Sequence, residues 1–96
     1  MRIRYTRLAL AHLRELKATS MQRFGVEPTL ATLQKIDSAI RDLANFPERG
    51  RPGRINGTRE LVITGTPFLV AYRLHQQEIH VLAILHGARK WPSGLQ

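Results

Sequence analysis

Residues 59–86 read Arg59-Glu60-Leu61-Val62-Ile63-Thr64-Gly65-Thr66-Pro67-Phe68-Leu69-Val70-Ala71-Tyr72-Arg73-Leu74-His75-Gln76-Gln77-Glu78-Ile79-His80-Val81-Leu82-Ala83-Ile84-Leu85-His86. Three runs rich in Val, Ile, Leu and aromatic residues are separated by Gly65-Thr66-Pro67 and by His75-Gln76-Gln77. Such runs, bounded by turn residues, form strands. Links this short reverse the chain, because a parallel return needs a crossover of about a dozen residues. The stretch therefore predicts an antiparallel meander of three strands over 59–64, 68–74 and 78–86. On the third strand, the even spacing of His80 and His86 predicts that both lie on one face.

Upstream, Leu30, Leu33, Ile36, Ile40 and Leu43 recur at three- and four-residue steps, the period of an amphipathic helix. Pro28 suits the first turn of that helix and Pro47 ends it. Residues 7–24 are rich in the helix formers Leu, Ala, Arg and Glu. There Leu13, Leu16 and Phe24, with Ala9 and Ser20, fall along one stripe. Thr6 is placed to cap this helix and Gly25 to stop it. The short link predicts an antiparallel helical hairpin. Arg2-Ile3-Arg4-Tyr5 alternates as a short strand does. Residues 47–58, punctuated by Pro and Gly, read as loop, and 87–96 as a tail. The expected architecture is one α+β domain over residues 1–96: an N-terminal strand, a helical hairpin and a three-stranded meander packed on the helices. The five apolar residues of the second helix are the expected core.

The chain has 96 residues and no cysteine, which excludes disulfides, thiolate chemistry and Cys-based zinc sites. Arg2, Arg4 and Arg7 break any signal-peptide pattern, and no apolar run is long enough to span a bilayer, so the expected location is the cytoplasm, without a membrane partner. Fifteen Lys and Arg face seven Asp and Glu, a formal charge of +8, and twelve of the fifteen are Arg. Arginine's planar fork matches phosphate and carboxylate groups. A surface of this kind seeks a polyanion or an acidic protein; the plainer reading is solubility. No acid lies between Glu48 and Glu60, so Arg49, Arg51, Arg54 and Arg59 are either a recognition patch or a solvated loop.

Three segments carry a family likeness: 47–54 with its Gly50-Arg51-Pro52-Gly53 centre; Arg59-Glu60-Leu61-Val62-Ile63 running into Pro67-Phe68-Leu69-Val70-Ala71-Tyr72-Arg73; and 79–85 ending in His86-Gly87-Ala88-Arg89-Lys90-Trp91-Pro92. In this order and spacing the chain resembles the RelE/ParE superfamily, the toxins of type II toxin–antitoxin systems, over nearly its full length. The resemblance implies growth arrest when the toxin is freed from an acidic, partly disordered cognate antitoxin. RelE-like members cut mRNA on the ribosome; ParE-like members poison DNA gyrase and serve in plasmid stabilisation.

A nuclease acting through the 2′-OH needs a base, an acid and cations to stabilise the phosphorane. The candidates for those roles are His86, Arg89 and Glu60. Where the mRNA cutters carry basic residues, this chain has Glu60, Val62 and Leu69, and Trp91 follows Arg89 where a Tyr is expected. These departures favour the ParE-like branch: gyrase inhibition by binding, with no catalytic residue, no cofactor and no metal. The expected target-binding residues are then Arg59, Arg73, His86, Arg89, Lys90 and Trp91. A ribosome-dependent mRNA endonuclease is the alternative, and a non-toxic nucleic-acid-binding module the third. Tyr72 is expected to pack within the sheet, and Trp91 to anchor a partner or to close the core edge.

Overall fold

The computed structural model describes residues 1–87 and 91–92. Elements follow in the order β1 (Arg2–Tyr5), α1 (Arg7–Phe24), α2 (Val26–Asp42), β2 (Arg51–Pro52), β3 (Arg59–Val62), β4 (Phe68–His75) and β5 (Glu78–His86). One five-stranded sheet, ordered β1-β5-β4-β3-β2, carries the helical hairpin on one face. The meander is antiparallel, and β1 joins its far side parallel to β5. The expected loop over 47–58 contains β2, a two-residue strand paired with β3 at the sheet's edge. An edge tolerates Pro52, which has no ladder donor. The first meander strand ends at Val62, two residues earlier than its composition suggests.

Thr6 caps α1 as expected. Its Oγ1 accepts from the Ala9 amide at 3.1 Å and donates to the Leu82 carbonyl at 3.0 Å. The whole hairpin link is Gly25, whose φ of 85° is a region that L side chains rarely adopt. Its amide closes α1 on the Met21 carbonyl.

Two expectations about the helices need correction. Leu30 is 50% exposed, and the inward stripe of α2 runs through Thr29, Leu33, Ile36, Ile40 and Leu43. Positions 29 and 30 both continue a three- or four-residue step from 33. The buried one carries a hydroxyl because that hydroxyl is satisfied: Thr29 Oγ1 hydrogen-bonds with the Gly25 carbonyl and the Ser20 hydroxyl, each at 2.7 Å. Phe24 is likewise 62% exposed at the hairpin tip, with the Arg23 guanidinium 5.6 Å over its ring.

The principal core joins Ile36, Ile40, Leu43, Ala9 and Leu16 of the hairpin region to Leu61, Ile63, Val70, Tyr72, Ile79, Val81 and Ile84 of the sheet side. On the opposite face a smaller cluster forms from Leu69, Ala71, Leu82, Ala83 and Leu85, with Ile55 and Trp91 packed on it. Pairing explains the division. Val70 faces Ile84 and Tyr72 faces Val81 on the helix side, while Leu69 faces Leu85 and Ala71 faces Ala83 on the other. Between the pairs Ala71–Ala83 and Tyr72–Val81 the register slips by one residue, so β5 carries a bulge at Leu82–Ala83.

That bulge overturns the expectation for the two histidines. Beyond it the alternation of β5 is inverted. His80, opposite Arg73, lies on the open face, while His86, opposite Phe68, lies on the helix face. Groups on and beside the bulged segment find partners elsewhere: Thr6 takes the Leu82 carbonyl, the Thr6 amide takes the Val81 carbonyl, and His12 Nδ1 accepts from the Ile84 amide at 3.2 Å.

Candidate functional site

The loop that links α2 to the meander is fastened by its own arginines. Gly50 is buried, and its amide donates to the Tyr72 hydroxyl at 2.9 Å, while that hydroxyl donates to the Pro47 carbonyl at 2.8 Å. A Cβ on Gly50 would stand 2.7 Å from the Tyr72 ring edge and hydroxyl. One on Gly53 would collide with the Thr58 hydroxyl. The two glycines of the Gly-Arg-Pro-Gly centre thus let the backbone approach the sheet closely. Burial pushes the Tyr72 hydroxyl's pKa up; the Gly50 hydrogen bond and Arg59 pull the other way without cancelling it.

Glu60 is buried on the open face, opposite Arg51. Its carboxylate accepts from the Arg54 amide at 2.7 Å, from Arg54 Nε at 3.3 Å and from an Arg51 guanidinium nitrogen at 3.2 Å. Burial alone would raise its pKa. The hydrogen bonds from Arg54 and Arg51 and the nearby Arg54 charge outweigh that and hold the carboxyl below its ordinary range. Arg59, on the helix side, donates to the Glu48 and Gly50 carbonyls at 3.2 and 2.6 Å. Arg49 reaches Asp42 at 3.4 Å and stacks 4.6 Å from the Phe46 ring. Most of this arginine run is therefore engaged in holding the loop.

Trp91 covers the smaller apolar cluster, with the Arg54 guanidinium 4.1 Å from its ring centroid. Its indole Nε1 is buried without a hydrogen-bond partner among the described residues. His86 meets Phe68 edge to face at 5.8 Å and lines a cavity of about 550 Å³ between α1 and the ends of β4 and β5, together with His12, Glu15, Arg23 and Pro92. Arg73 lies on the open face beside His80, and its Nε is buried without a partner among the described residues. Arg89 and Lys90 lie outside the described residues.

The geometry separates two of the three nuclease candidates, His86 and Glu60. His86 opens on the helix face and Glu60 on the opposite face, where both its oxygens are held by arginines, so the two cannot flank one phosphate. Leu69 is buried on the open face and Val62 is 53% exposed there. No three metal-binding side chains converge among the described residues, and no helix there is long and apolar enough to cross a membrane.

A profile of the family described as "ParE toxin of type II toxin-antitoxin system, parDE" matches residues 3–91. The chain belongs to this family of ParE toxins. A protein of Sinorhizobium fredii (strain NBRC 101917 / NGR234) named "Putative toxin Y4kP" is 35% identical over 94 residues, spanning 98% of this chain and 96% of that protein. A chain of the solved structure "Chromosomal ParDE TA system from P. aeruginosa" superimposes with a TM-score of 0.79 at 29% identity, over 88% of this ParE-family chain and 92% of the other. The α+β fold anticipated from the meander is thus the fold of a ParE-family toxin.

Sequence reasoning did not single out Arg2, Arg4 and Glu78, which join His75, His80 and Arg73 on the open face. The signal was present as i, i+2 pairs: Arg2 and Arg4, Arg73 and His75, Glu78 and His80. What it lacked was the parallel pairing of β1 with β5, which brings the pairs together.

Proposed function

We propose that this ParE-family toxin arrests growth in the cytoplasm by binding DNA gyrase, without cutting RNA, and that a cognate antitoxin with an acidic, partly disordered segment holds it in check. The observation that carries the reading is the separation of His86 from Glu60 by the thickness of the sheet, together with Leu69 where a phosphorane would need a cation. Losing one such donor costs other enzymes about a hundred- to a thousandfold in rate. Of the expected target-binding residues, Arg73 has no ion-pair partner among the described residues, while Arg59 holds the loop and Trp91 covers the open-face apolar cluster. His86, Arg89 and Lys90 complete the proposed target-binding set. The charge of +8 and the exposed Phe24, Val26 and Leu30 at the hairpin tip suit an acidic amphipathic antitoxin segment. Growth arrest of this kind also fits a role in plasmid stabilisation.

The test sets a gyrase supercoiling assay beside primer extension on translated mRNA, using one preparation of free toxin. Loss of supercoiling with uncut message is expected; His86→Ala weakens target binding but keeps substantial growth arrest, whereas Arg89→Ala combined with Trp91→Ala loses it. Codon-register cuts abolished by His86→Ala, with gyrase unaffected, would replace this reading with the mRNA endonuclease.

A further inference from the structure

One end of the open face carries a grid of ionisable side chains that neither the 47–58 loop nor Trp91 uses. Across three neighbouring strands the pairing places Arg4, His80 and Arg73 in one row and Arg2, Glu78 and His75 in the next. Same-face positions on paired strands stand side by side, so each row spans about 10 Å and the rows lie about 7 Å apart. Glu78 is the grid's single carboxylate. It lies 3.8 Å from Arg2 Nε, 3.8 Å from an Arg4 guanidinium nitrogen and 3.0 Å from His80 Nε2. The His75 and His80 rings sit 5.6 Å apart. The grid thus holds three guanidinium groups and one carboxylate; Arg2 and Arg4, with side chains 78% and 59% exposed, share that carboxylate, and Arg73 has no ion-pair partner among the described residues.

From this arrangement we propose that the Arg4–His80–Arg73 row and its neighbour form a binding site for the phosphodiester backbone of double-stranded DNA. Its donors form a row across three paired strands instead of converging on one point. Measured along the duplex axis, a row of about 10 Å spans about three base-pair steps at about 3.4 Å each. Arginine forks bind phosphate oxygens in bidentate fashion, and the half-buried Arg73 has no ion-pair partner among the described residues to compete with a phosphate. The apolar cluster on this face lies at its other end, under Trp91 and Ile55, so the grid offers charge without the apolar anchors that a folding peptide needs. The proposal stands independently of the gyrase reading, because it concerns binding to DNA alone.

Fluorescence anisotropy with a labelled 20-base-pair duplex, titrated across a salt series, tests it. Each phosphate contact contributes about 0.9 to the slope of log affinity against log salt. Arg4→Gln/Arg73→Gln is expected to lower that slope by about two and to weaken binding at least about tenfold. Arg14→Gln/Lys17→Gln, on the exposed side of α1, removes the same charge and is expected to change the slope much less. Arg4→Gln alone leaves half-buried Arg73 untouched and is expected to lower the slope by about one. Equal losses in the two double variants would overturn the proposal, as would wild-type protein that does not bind the duplex. Displacement of the duplex by poly-glutamate or by single-stranded RNA at equal charge concentration would also overturn it, reassigning the grid to an acidic protein or to RNA.

Discussion

The two faces of the sheet are made by the same strands but hold together differently. On the helix side Val70, Tyr72, Ile79 and Val81 are fully buried against Ile36, Ile40 and Leu43, a continuous layer closed by the hairpin. On the open side an apolar half, Leu69, Ala71, Leu82, Ala83 and Leu85, is covered only by Ile55 and Trp91, and the other half is the charged grid. The bulge at Leu82–Ala83 divides them. Before it, β5 sends Ile79 and Val81 to the helices; after it, Ile84 takes that face although it is an odd number of residues from Val81. One strand thereby delivers a histidine to each side. Shared spacing within a strand means a shared face only while the register holds.

The largest expected effect contrasts two residues of α2 that the apolar period treats alike. Ile40 is 1% exposed and Leu30 50%. Ile40→Asp buries an unpaired carboxylate and is expected to cost more than about 4 kcal/mol, most of the stability of a domain at the low end of the ordinary range. Leu30→Asp is expected to stay within about 0.5 kcal/mol of wild type, as surface substitutions do. Denaturant titrations followed by circular dichroism make the comparison. Similar losses in both would mean that the stripe includes position 30 and that the helices sit rotated on the sheet.

Next in size is the loop that reaches both faces. Gly50→Ala places a methyl 2.7 Å from the Tyr72 hydroxyl, which is pinned between the Gly50 amide and the Pro47 carbonyl. The overpacking is expected to cost about 1–3 kcal/mol. Tyr72→Phe is expected to fall in the same range, because it leaves a buried amide without its acceptor. A double variant that loses clearly less than the sum of the two singles would establish that both act through the one contact. Strict additivity would mean that the loop is fastened elsewhere.

What the sequence made legible follows the same line. Periodicity and short links revealed the hairpin and the meander because those signals are local: the Thr6 cap, the Gly25 stop, and the runs around Gly65 and Gln76. It left out what depends on partners distant in sequence. No local signal marks the bulge, since Val81-Leu82-Ala83-Ile84 is uniformly apolar and hides a change of parity. Nothing in Thr29 announces that Ser20 and Gly25 will satisfy its hydroxyl. The arginine run from 49 to 59 resolved through Glu60 and the loop carbonyls, contacts set by β2 pairing with β3. The grid escaped notice because it needs β1 beside β5.

Glu60 offers a weaker handle on the open face. Its folded pKa is depressed, so its contribution to stability is fully present above the unfolded value of about 4.3 and is lost as pH falls through the folded value. Glu60→Gln is expected to be less stable than wild type at neutral pH. That gap should begin to narrow as pH falls below the unfolded value and close once pH is below the depressed folded value, where the wild-type carboxyl is neutral too. Melting curves between neutral and acid pH read the difference. A gap that stays constant across this range would mean that Arg51 and Arg54 do not hold the carboxylate charge and that the loop's attachment to the open face rests on Ile55 and Trp91.

The smallest expected effect concerns the turn that sets which residues of β4 and β5 share a face. Gln76 and Gln77 have φ of 49° and 67°, the paired left-handed geometry of a two-residue hairpin turn whose twist matches that of the strands. Gln tolerates this region poorly, since its Cβ crowds the carbonyl, whereas Asn-Gly is the preferred pair. Gln76→Asn/Gln77→Gly is therefore expected to stabilise the protein by about 0.5 kcal/mol, raising the melting temperature by about 2–4 °C for a domain of this size. The His75–Glu78 register beside the turn should be unchanged, with His80 still opposite Arg73. A melting temperature that falls would contradict the left-handed turn. A turn of different length would slide β5 by one residue, bring Ile79 and Val81 to the open face and dismantle the grid, so the substitution also tests whether this hairpin fixes the two faces before the bulge exchanges them.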